Sequence, residues 1–370
     1  MGMGKRDWMP VPVLAALCVA MMFAPTAERV VSDGGETVRA RVVSVDDSKL
    51  VYTGLVRYGT QYLEAEVVSG PAAGTKVRAE NELRAQMDLD KVFATGDVAL
   101  LAVPAGGVRE GDVLLARDHW RLGLEAAVFL VFAALLVAFA GWTGLKALFS
   151  FVFSCVAVWK LLVPLCLNGW SALWTSFLVV AALTAVIMYL VAGATRKGAA
   201  AFLGATTGVA ASLALARLFA SLMHVNGATM PFAQALVYTG YPGLDLADIF
   251  CGGAVLAASG AVMDLAMDVS AGVSEVARHS PGLGRRELFM SGLRIGRAVV
   301  GTMTTTLLLA YSGGYLTLLM VFAAQGTSPV DFVNSTLVSA EFVKTMVGSF
   351  GLVLVAPASA LAAAYLHDNG

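Results

Sequence analysis

Charge is scarce in this 370-residue chain. Asp, Glu, Lys and Arg together make up 14% of it, against about a quarter in an ordinary soluble domain. The two signs nearly balance, 25 basic against 26 acidic residues for a formal net charge of −1, so no basic surface awaits a nucleic acid. Cysteine is rarer still. Cys18, Cys155, Cys166 and Cys251 all lie in or beside apolar segments, which excludes a disulfide framework or cysteine metal cluster and makes them small buried hydrophobes. Walker, HExxH and GxSxG motifs are absent, so neither an ATP-driven pump nor a familiar hydrolase is encoded, and no enzyme activity or cofactor is expected. No inverted repeat relates the two halves.

What is abundant is apolar surface. Hydrophobic residues make up 58% of the chain and the mean hydropathy is +0.75. Several runs of about 20 residues are almost free of charge, the length that crosses a bilayer as a helix. Such long runs exclude a transmembrane β-barrel, which alternates in short strands. The fold class is therefore a polytopic α-helical membrane protein.

Three regions follow in order. Residues 1–27 carry Lys5 and Arg6 ahead of "WMPVPVLAALCVAMMFA", an anchor or signal-like segment; "APTA" is a candidate cleavage site, and the reading favoured is an uncleaved anchor with a cytoplasmic N-terminus. Residues 28–119 change character. "ETVRARVVSV", "KLVYTGLVRYG", "QYLEAEVV", "TKVRAEN" and "DVALLAV" favour strands, and "SGPAAG", "ATGD", "PAGG" and "REGD" punctuate them. Five or six strands in so short a stretch predict a small exported β-barrel of OB or SH3-like type. Without a stacking row or basic groove, it reads as a structural or docking module. Residues 120–370 hold the spans, expected near 122–141, 144–167, 171–193, 199–223, 247–277, 293–312, 314–325 and 342–366, about eight, with 314–325 too short to cross comfortably. Lys146, Arg196, Lys197, Arg278, Arg285 and Arg286 fall on one side with Lys5 and Arg6, as the positive-inside rule requires.

The chemistry concentrates in "GAVMDLAMDVSAGVSEV". At 100° per residue Asp264, Asp268 and Glu275 share one helical face, about 16 Å long. Each charge left in lipid costs about 2.5–3.5 kcal/mol on insertion scales, so the stripe is expected to face the bundle interior or a wet cavity. The next span offers Arg294 and Arg297 as partners for Glu275. Thr302, Thr304, Thr305 and Thr306, with Tyr311, lie level with the two aspartates. Carboxylates and hydroxyls are donors for hard cations and protons. The plainer alternative is that acid–base pairs merely orient helices. An aspartyl-protease dyad is excluded, because it needs two carboxyl groups about 3 Å apart and Asp264 and Asp268 stand one turn apart on one helix.

At this stripe the sequence resembles the YibE/F family of multi-spanning membrane proteins. The likeness continues through "ELFMSGLRIGRAVVGTMTTTLLLAYSGGYLTLLM" and "NSTLVSAEFVKTMVGSFGLVLVAPASALAAAYL". Upstream, "GWTGLKALFSFVFSCVAVWKLLVPLCLNGW" and "RKGAAAFLGATTGV" also match. Family members tend to carry an acidic residue where this chain has Ala298. The resemblance implies a bacterial cytoplasmic (inner) membrane address without defining the biochemistry. The functional expectation is a permease, either a secondary transporter or a channel, for a small solute or cation. The alternative is a scaffold or signalling protein whose residues 28–119 bind envelope components. Expected partners are the bilayer, the solute, and a homo-oligomer or envelope component through residues 28–119.

Overall fold

The structure, a computed structural model, describes Met21 and residues 36–104, 106–241 and 243–367. Apart from Met21, the anchor expected over 1–27 lies outside the described residues. The chain divides into two compact units that meet in sequence at Leu135 and Leu136.

The first unit is built on six strands: β1 (Thr37–Asp46), β2 (Leu50–Thr53), β3 (Val56–Val67), β4 (Lys76–Arg84), β5 (Val98–Ala102) and β6 (Val113–His119). β1 pairs with both β3 and β5, β3 with β4, and β5 with β6, all antiparallel; β4 and β6 close the ring in parallel. Five strands thus make a barrel, and β2 extends β3 as a hairpin. Alternation explains the closure. Along β4, Val77, Ala79, Asn81 and Leu83 point inward between exposed neighbours, the period of two that a strand imposes. Alanines at 40, 65, 79, 99 and 116 keep the interior narrow enough for five strands.

Two buried amides tie a long loop to this core. Gln61 Nε2 donates to Asp47 Oδ1 at 2.8 Å and to the Phe93 carbonyl at 3.0 Å, and its Oε1 accepts from Phe93 N–H at 3.0 Å. Asn81 Nδ2 donates to Gln61 Oε1 at 3.1 Å and to the Lys91 carbonyl at 2.6 Å. Buried polar atoms are tolerable because they are satisfied.

The helices are α1 (Leu122–Ala157), continued by a π-helical turn Val158–Leu162 and α2 (Val163–Leu167); α3 (Ala172–Ala192); α4 (Arg196–Leu222); α5 (Ala233–Tyr238); α6 (Leu246–His279); α7 (Arg285–Gly314); α8 (Leu316–Ala324); α9 (Pro329–Asn334); and α10 (Thr336–His367). Among the described residues, five runs are long and apolar enough to cross a membrane, or six if α7 and α8, bent by 64°, form one broken span. The expected eight spans are not all found: 314–325 is the short arm of that bent pair, while the boundary expected between 122–141 and 144–167 falls at a break inside Leu122–Leu167.

That 46-residue run would reach about 69 Å if straight, more than twice the hydrocarbon thickness. Gly141 interrupts it with a φ of 56° and ψ of −128°, which suits glycine alone. A Cβ at Gly144 would fall on the Leu136 carbonyl, eight residues away and unreachable along a straight helix. The chain therefore turns sharply at Gly141.

In the second unit α4, α6, α7 and α10 pack around a common core, and small residues set their spacing. A Cβ at Gly292 would stand 2.6 Å from the Ala360 Cβ, one at Gly296 2.8 Å from the Ala356 Cβ, and one at Gly208 2.9 Å from the Val355 Cβ. At Gly204 it would meet Ser359. In lipid, helices gain little from hiding apolar surface, so close backbone approach supplies the packing.

Candidate functional site

Asp264, Asp268 and Glu275 do lie on one face of α6, but that face is exposed, and it carries Gly253, Ala257 and Gly260 as well. The buried side of the helix is lined instead by Val255, Val262, Leu265, Ala266, Val269 and Val273. The acidic stripe therefore looks out from the helix bundle and not into it. Of the four cavities described, none is lined by Asp264 or Asp268.

The expected partners are likewise redistributed. Glu275 pairs with Arg278 on its own helix at 2.6 Å, with His279 Nδ1 3.2 Å away; the pairing with Arg294 or Arg297 does not form. The physical reason is reach. Arg278 stands one turn along the same face, while Arg294 and Arg297 are exposed on another helix. Arg294 Nε makes only a long contact, 3.4 Å, to the Met290 carbonyl one turn back. Among the described residues neither arginine has an ionic partner. Thr302, Thr304, Thr305 and Thr306 turn their hydroxyls back onto carbonyls of α7, to Val299, Val300, Gly301 and Thr302 at 2.9–3.2 Å. Each is satisfied locally.

A second set of polar groups does sit within the bundle, and the sequence reading passed over it. On α10, Lys344 Nζ donates to Glu341 Oε1 at 2.7 Å, and their side chains are only 21% and 24% exposed. The ammonium lies 5.5 Å from the centroid of the Phe250 ring on α6. Tyr311 on α7 approaches the same level, since its ring edge is 3.9 Å from where a Gly348 Cβ would be. Its buried hydroxyl finds no hydrogen-bond partner among the described residues. Three residues beyond Tyr311, α7 ends and the chain bends into α8. The signal was legible: an E-x-x-K pair at the start of an apolar run brings two opposite charges onto one helical face.

At the start of α6, Asp248 accepts from the Ser171 hydroxyl at 2.8 Å and lies 3.5 Å from Arg217. This joins three helices at one end and reads as structural. Among the described residues no group of three or more His, Cys, Asp and Glu side chains forms a metal-binding set.

The whole helical region carries a family signature. A family model described as YibE/F-like protein matches residues 128–369. The chain belongs to the YibE/F-like family. The match takes in both the outward acidic stripe and the Glu341–Lys344 pair of this YibE/F-like chain, and it begins after the barrel. No curated protein and no solved structure matches it.

Proposed function

We propose that this YibE/F-like chain is a permease of a bacterial cytoplasmic membrane that handles a small solute, cation or proton at the Glu341–Lys344–Tyr311 centre. One observation carries the reading: a half-enclosed ion pair stands within the helix bundle beside an interrupted helix. Intramembrane ionisable groups are costly and mark transport paths, and broken helices at membrane depth are accommodated where they line a cavity or protein. Tyr311 contributes a hydroxyl whose hydrogen-bonding capacity is unspent, ready for a solute or water. The proposal involves no enzymatic step. Basic residues at the ends of α6 and the starts of α4 and α7 support a cytoplasmic N-terminus and an exported barrel.

The test is a solute screen on the purified chain in liposomes, run with and without proton or sodium gradients. Glu341→Gln is expected to lower any flux at least tenfold with the folded fraction unchanged. Undiminished flux contradicts the assignment.

A second reading rests on the barrel, which we take as OB type from its strand order. Its outer face holds a concavity of about 380 Å³ lined by Asp46, Tyr62, Glu64, Arg78 and Glu80 among others, polar enough to dock an envelope component. In that reading Tyr62→Ala with Arg78→Ala abolishes function, whereas Glu341→Gln is tolerated.

A further inference from the structure

Two charged strips face outward from neighbouring helices, and among the described residues their Asp264, Asp268, Arg294 and Arg297 have no ionic partner. On α6 the exposed residues Gly253, Ala257, Gly260, Asp264, Asp268 and Glu275 recur at intervals of three, four or seven, the spacing of a single helical face. On α7, Arg294, Arg297, Gly301, Thr305 and Leu308 recur at three and four and are also exposed. Mid-span aspartates left against acyl chains would each cost about 2.5–3.5 kcal/mol. Something other than lipid covers them.

We infer that the outer α6–α7 face is the interface with a second copy of this chain, with the aspartates of one copy set against the arginines of the other. Charge complementarity names the occupant, and the bilayer fixes the register. Within the chain, α6 and α7 run antiparallel: a Cβ at Gly292 would lie 2.8 Å from Val273 Cγ2, one at Gly296 3.6 Å from Val269 Cγ2, and one at Gly272 would meet Ile295. Stepping along that register sets Arg297 level with Asp268, and Gly301 level with Asp264. Both copies span the same membrane and so sit at the same depth. A two-fold axis along the membrane normal then brings Asp268 opposite the Arg297 of the other copy without vertical shift, and vice versa. Each contact occurs twice, as an isologous interface demands. Gly253, Ala257 and Gly260 leave room on α6 for a helix to approach closely, and the wide guanidinium fork of Arg294, one turn away, is within reach of the same carboxylates.

The test is disulfide trapping in native membranes. In a background lacking the four native cysteines, Ala257→Cys is combined with Leu308→Cys, positions level across the inferred interface, and oxidised; Leu218→Cys, exposed on α4, is the control. Dimer-sized product from the pair and none from the control is expected, together with a purified species of twice the 38.5 kDa chain mass. Asp268→Arg should weaken dimer formation at least tenfold, and adding Arg297→Asp should restore it. The helical circular dichroism of the Asp268→Arg variant, expected unchanged, shows that the single variant folds. A monomeric wild type, equal trapping at the control, or an undiminished Asp268→Arg dimer overturns the inference.

Discussion

Glu341 and Lys344 are 2.7 Å apart, one turn along α10, both largely enclosed by the bundle. Among the described residues, the outward Asp264 and Asp268 have no such partner. A pair of this kind is weak evidence for stability, because desolvation offsets attraction, but removing one partner strands the other. Lys344→Met alone should therefore destabilise the chain more than Lys344→Met with Glu341→Leu. A double-mutant cycle on thermal unfolding in detergent should return a coupling of about 1 kcal/mol or more. Additive single-variant losses would contradict the pairing.

The barrel depends on its two buried amides. Gln61→Leu leaves Phe93 N–H without its acceptor and the Asn81 amide with the Lys91 carbonyl alone, and a stranded buried group costs about 1–3 kcal/mol. Amide exchange of Phe93 and its neighbours should accelerate, as should proteolysis of the 85–97 loop. Unchanged protection would show that the network is not what holds the loop.

Helix spacing gives a sharper contrast. Gly292→Val places branched carbons where Ala360 already stands, and overpacking of this kind costs about 1–3 kcal/mol. Gly301→Val meets no atom of its own chain within 4 Å, so its folding stability should be unchanged, although it borders the inferred dimer face. Comparing the unfolding temperatures of the two variants checks both statements.

Acid should loosen the joint where the barrel ends. Burial raises the Asp118 carboxyl, but the His119 N–H and the Arg121 guanidinium outweigh it and hold the group below its usual 3.8. At Asp46, the Ser48 N–H is the main influence holding the carboxyl below that same value. A depressed carboxylate contributes stability that is complete above the unfolded value and vanishes as pH falls through the folded one. The loss should begin below about pH 4 and continue as the carboxyls protonate. Hydrogen exchange of barrel peptides between pH 5 and pH 2.5 measures it, and Asp118→Asn should flatten the response.

The barrel was legible in the sequence because one face of each strand meets water, so polar and apolar residues alternate visibly, as along β4. β6 escaped because "VLLARDH" runs directly into the first apolar helix and reads as its approach. The spans themselves were legible from length and scarcity of charge. Their facing was not. In a bilayer the packed face and the lipid face are both apolar, so placing Asp264, Asp268 and Glu275 on one stripe was within reach of helical geometry, while its outward direction was not. Glycines gave an ambiguous clue: Gly292 and Gly296 lie inside the packing, whereas Gly253 and Gly260 lie outside it. Glu341 and Lys344 were missed because they stand near a span's beginning, where charges are ordinarily solvent-exposed.

For the Glu341 centre to handle a solute or proton, water must reach it inside the bundle. Reaction of Glu341→Cys with a charged, membrane-impermeant thiol reagent, in otherwise cysteine-free protein in sealed vesicles, tests it directly. Labelling is expected at least tenfold faster than at Leu361→Cys, an apolar position exposed on the same helix. Equal, negligible labelling at both positions would contradict it.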